Sequence, residues 1–108
     1  TGEYTRHIRH EEIGKAVINL WYTNQIAANC LWAFAYDDGN KRYLPRSNEN
    51  ATISNPLSKQ IWERKHKIIT EIYGFDKDSW EARTTPKTEA FWQFEKPNDA
   101  RKWLKSLE

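Results

Sequence analysis

NQIAANCLWAFAY, residues 24–36, runs for thirteen positions without a charge, and its conformation decides the fold. Ala28, Cys30, Trp32, Phe34 and Tyr36 alternate, which suits a half-buried strand. Yet neither Gly nor Pro interrupts the chain between Lys15 and Asp38, so a helix could run on through it. Asp37-Asp38-Gly39-Asn40 is a turn signal, and Lys41–Leu44 reads as a short return strand. The expected unit is a hairpin that pairs 31–36 with 41–44.

Upstream, residues 1–10 have no period and read as an arm or a short strand. Glu11–Thr23 reads as a helix, with Ile13, Val17, Leu20 and Trp21 on one face and two acids in its first turn, where the helix dipole favours anions. Downstream, Pro45–Ser54 is polar and reads as a loop. Asn55-Pro56 is expected to cap and open a second helix, since proline loses no bond at the first helical position. Leu57, Ile61, Ile68 and Ile72 form its apolar stripe, and Gly74 ends it. Asp76–Ser79 opens a single turn around Trp80. Thr88–Glu95 reads as a strand, with Trp92 and Phe94 on one side and Phe91 on the other. Pro97-Asn98-Asp99 starts a last helix, with Trp103 and Leu104 inward and Arg101, Lys102 and Lys105 on the other side.

These elements predict one α+β domain over residues 1–108, with 1–10 as its arm: a small antiparallel sheet packed on one face by two main helices and a C-terminal helix. The expected core holds Val17, Leu20, Trp21, Trp32, Phe34, Ile61, Ile68, Ile72, Trp92, Phe94, Trp103 and Leu104.

Composition narrows the function classes. The chain has 108 residues, a usual size for one domain, with 30% charged and 38% hydrophobic residues, and this balance is globular. No apolar run approaches the ~20 residues that span a bilayer, so no membrane partner is expected. Cys30 is the only cysteine, which excludes an internal disulfide and points to a reducing, cytoplasmic setting. The Asn50-Ala51-Thr52 sequon reads as chance. Net charge is +2, a small excess for a nucleic-acid binder.

Fifteen aromatics (six Trp, five Tyr, four Phe) exceed what a core this small can hold. The surplus points to an interaction surface, because rigid rings fill partner pockets at low entropy cost. The leading reading is therefore a non-catalytic binding protein with a protein partner. Tyr22, Arg42, Tyr43, Arg46, Trp80 and Phe91 are its candidate contacts. The Asn, Lys, Ile and Tyr usage also resembles that of small phage or mobile-element accessory proteins that inhibit or redirect a host protein. A homodimer would hide the same rings.

Two alternatives remain. A single nucleic-acid strand would be held through Arg6, Arg9, Lys41, Arg42, Arg64 and Lys67. A small metal-dependent enzyme would use His7, His10 and Glu11, although this spacing matches no zinc signature and no second cluster completes the ligand set. Cys30 lies in an apolar run, where a thiol is usually buried and inert. The expectation is no cofactor, no metal and no catalysis.

Overall fold

A computed structural model of the chain describes residues 8–107. The architecture is α+β. Helix α1 covers Ile8–Tyr22, then come strands β1 (Leu31–Phe34), β2 (Tyr36–Asp37), β3 (Arg46–Ser47) and β4 (Ile53–Pro56). Helix α2 (Lys59–Lys67) continues into a π turn at Ile68–Ile72. A short α3 (Trp80–Arg83), the long strand β5 (Thr88–Phe94) and α4 (Pro97–Ser106) follow. The uncharged stretch is thus a strand in its second half, as its alternation predicts.

Its partner differs from the expectation. β1 pairs antiparallel with β5, Leu31 opposite Phe94 and Phe34 opposite Phe91, and β4 flanks β5 on the other side. The hairpin to 41–44 does not form. Gly39, Asn40 and Lys41 all take positive φ, near 60–69°, and wind a left-handed turn closed by the Arg42 and Tyr43 amides on the Asp38 carbonyl. That turn consumes the predicted return strand. Pairing resumes only past Pro45, where Tyr36 meets Ser47 and Asp37 meets Arg46. The predicted loop 45–54 accordingly contains β3 and the start of β4.

The second helix also begins later than Asn55-Pro56. Those residues end β4, and the Leu57 amide still donates to the Lys87 carbonyl. Proline is tolerated there because an edge strand can spare an N–H. Ser58 supplies the cap, its Oγ accepting from the Ile61 amide at 3.2 Å. Ser58→Ala should lower stability by about 1 kcal/mol, read as a thermal melt. At the far end Gly74 takes φ +78°, the left-handed stop the sequence predicts.

One face of the sheet is covered by α1 and α4. Ile18 and Trp21 of α1 meet Ala100 and Leu104 of α4, with Leu31, Phe94 and Trp103 packed around them. Ala35, Ala90 and Ala100 are fully buried. Alanine at these positions lets backbone elements approach closely, and a larger side chain would hold them apart.

Only Trp21 and Leu104 of the twelve expected core residues are fully buried, while Trp92, Phe94 and Trp103 are half-buried. Val17, Leu20, Trp32, Phe34, Ile61, Ile68 and Ile72 are exposed. On α1 the covered seam is Ile18 and Trp21, the line that α4 touches, and no described element lies over the Ile13–Val17–Leu20 stripe. On α2 the π turn takes an extra residue per turn, with the Tyr73 amide bonding the Ile68 carbonyl. The partly covered line of α2 and the π turn is Trp62, Lys65, His66 and Ile69, so Ile61 ahead of the π turn is already 55% exposed and Ile72 ends 76% exposed. Among the described residues no helix is long and apolar enough to cross a membrane.

Candidate recognition surface on the sheet

Side chains alternate across a strand, so the register sorts the sheet into two faces. Leu31, Ala33, Ala90, Trp92 and Phe94 share the face toward α1 and α4. Trp32, Phe34, Phe91 and Ile53 share the opposite face. There Trp32 lies 5.3 Å from Phe91, centroid to centroid, and Phe34 lies 5.4 Å from Phe91 and 6.2 Å from Tyr36. The rings form one connected cluster. Trp32 remains 54% and Phe34 44% exposed, because no helix among the described residues lies across them.

One end of this face is closed. Tyr36 donates its hydroxyl to Glu89 Oε2 at 3.1 Å, and Lys65 of α2 reaches Glu89 Oε1. The Trp62 indole donates to the Thr85 carbonyl at 3.1 Å and so ties α2 to the segment entering β5. The rings therefore have an ion pair at one border and open solvent at the other.

The sequence-derived contacts are spread over several places, and only Phe91 belongs to this cluster. Tyr22 sits at the end of α1 with the Arg101 guanidinium 4.2 Å above its ring. Trp80 opens α3 and is 42% exposed. Arg42 folds back on the Gly39 carbonyl. Tyr43 and Arg46 do come together: the guanidinium lies 4.0 Å over the ring, and the Tyr43 hydroxyl donates to Asp37 Oδ1. That hydrogen bond to the Asp37 carboxylate raises the Tyr43 pKa, and Arg46 offsets part of the rise. Asp37→Ala should lower the Tyr43 titration midpoint in an alkaline absorbance titration. The same unit borders a shallow, open groove of about 530 Å³ lined by Asp37, Arg46 and residues 47–50.

The cations of the nucleic-acid alternative also lie apart. Arg9 pairs with Glu12 on α1, and Lys67 pairs with Glu71 beyond α2. Lys41 and Arg42 sit in the left-handed turn, and Arg64 is exposed on α2. Arg6 and His7 lie outside the described residues. Among the described residues no three His, Cys, Asp or Glu side chains gather around a point that could hold a metal. Cys30 is exposed rather than buried, because the segment before β1 lies on the surface.

Trp32 and Phe34 are the surface residues that sequence reasoning assigned to the core. Their signal was present in the stretch itself: one parity is large (Trp32, Phe34, Tyr36) and the other small (Ala33, Ala35). Close helix packing selects the small parity. Comparison with protein-family models, with curated proteins and with solved structures gives no match for this chain.

Proposed function

We propose that this chain is a non-catalytic binding protein that recognises a protein partner through the ring face of its sheet, acting as an adaptor or stoichiometric inhibitor in the cytoplasm. The observation that carries this reading is the connected cluster of Trp32, Phe34 and Phe91, left open by the fold. Exposed rings in contact are pre-positioned, so a partner that covers them gains apolar burial with little side-chain ordering. The charge pattern favours protein over nucleic acid. A strand of bases stacked on these rings would bring phosphates, and the Lys65 ammonium at the border of the face is already held by Glu89.

The test compares the wild-type chain, a Trp32→Ser/Phe91→Ser variant and an Ile72→Ser/Tyr73→Ser variant as baits for cognate-cell proteins. A partner retained by the wild type and the Ile72/Tyr73 variant but lost by the ring variant supports the reading. In parallel, short DNA and RNA strands are titrated at low and moderate salt. Tight binding that falls steeply with salt and depends on the rings would replace the protein reading with the nucleic-acid one.

A further inference from the structure

The outer edge of β1 is separate from the ring face and makes its own argument. The Ala35 amide donates to the Ala90 carbonyl at 2.9 Å, so Ala35, and with it Ala33 and Leu31, turn their backbone groups toward β5. Trp32 and Phe34, at the other parity, turn theirs away from it. The Asn48 amide donates to the Ala35 carbonyl at 2.8 Å, which places β3 on the same side as β5. Among the described residues, the far side of β1 is therefore a free edge. No described group bonds the outward N–H or C=O of Trp32 or Phe34.

Sheets in natural monomers guard such edges with charge, proline or a covering loop. The opposite edge strand, β4, ends in Pro56. β1 lies in the uncharged run 24–36, which holds no proline. We infer that this edge pairs with the same edge of a second copy of the chain, forming a two-fold antiparallel dimer with a continuous six-stranded sheet.

The sequence of the edge fits that occupant. A two-fold axis at Ala33 sets Trp32 opposite Phe34 of the second copy, and Phe34 opposite its Trp32. Both residues present outward amides and carbonyls, so each of these pairs exchanges two hydrogen bonds. On the ring face each Trp–Phe pair becomes a cross-strand aromatic pair. On the helix face Ala33 meets Ala33, and Leu31 meets Ala35. No charge within the paired segment faces its own copy, a conflict that symmetric interfaces otherwise create. The two rings are about half exposed. Edge pairing covers only the flanks of these rings, far less than a standard interface, so the strand hydrogen bonds supply most of the contact. The dimer therefore dissociates on dilution. Pairing at the edge leaves the ring face open and makes it continuous across the axis.

Sedimentation velocity over a concentration series tests the dimer. The wild-type chain should pass from 12.9 kDa toward twice that mass as concentration rises. Phe34→Pro removes an outward N–H together with the Phe34 ring but no bond to β5, and should stay monomeric with an unchanged far-ultraviolet circular dichroism spectrum. The register is tested in a Cys30→Ser background. Ala33→Cys should oxidise to a covalent dimer, because facing Cα atoms ~4.5 Å apart in a non-hydrogen-bonded pair can be bridged. Trp32→Cys should not, because the two introduced thiols are offset diagonally. A wild-type chain that remains monomeric at every concentration overturns the inference. So does a dimer that persists in Phe34→Pro, or one in which Ala33→Cys fails to cross-link.

Discussion

Trp21→Ala should lower the stability of this protein by about 3–5 kcal/mol, the range for removing a buried large aromatic from a core. Trp21 is 4% exposed and sits between Ile18, Ala100 and Leu104, so its removal leaves a cavity between α1 and α4. Its indole also donates to the Ala28 carbonyl at 3.1 Å and anchors the segment that leads into β1. Against the ~5–15 kcal/mol total of ordinary domains, the loss leaves little or no folded margin. Trp21→Phe separates the two contributions. It keeps most of the packing and should cost roughly 1 kcal/mol for the lost hydrogen bond plus a smaller cavity penalty. Urea titrations of the wild type and both variants provide the check. A Trp21→Ala cost below about 1 kcal/mol would show that the α1–α4 seam is not the stabilising centre.

Trp32→Ala should do the reverse, leaving the fold nearly intact and abolishing most partner binding. The ring is 54% exposed, so its loss costs little beyond the contact with Phe91, about 0.5–1.5 kcal/mol. At the proposed interface it is the most exposed ring of the cluster, and aromatic anchors are worth ~2 kcal/mol or more, a loss of roughly thirtyfold in affinity. Phe91→Ala should act in the same direction and combine non-additively with Trp32→Ala, because the two rings touch. The checks are an affinity titration against the captured partner and a urea titration of the same proteins. An unchanged affinity with a large stability loss would assign Trp32 to the fold and remove the case for the ring face.

These two tryptophans show where the sequence is legible. Both fall in apolar patterns, and periodicity alone places both in the core. Trp21 is buried because α4 lies on its line of α1. Trp32 is exposed because the helices cover the other face of its strand. The ring surplus is visible in composition and points to exposed aromatics; Tyr22 and Trp80 are exposed as expected, whereas Trp32 and Phe34, expected inside, are exposed too. The stripe on α2 misled for a different reason: the partly covered line is Trp62, Lys65, His66 and Ile69, one position off the Ile61–Ile68–Ile72 stripe along its whole length.

The sequence by itself determined the local choices made by backbone sterics and short-range hydrogen bonds. These include the strand that begins at Thr88, the Gly74 stop, the Ser79-capped turn and the proline-led last helix. Tertiary structure alone decided which strands pair, which face of each element is covered and which edge stays open. Those outcomes depend on competition between distant segments. β5 won β1 from the predicted return strand, and the alanine parity won the helix face from the aromatic parity. Both contests turn on how closely backbones can approach, a property of the assembled layers that no single stretch of residues encodes.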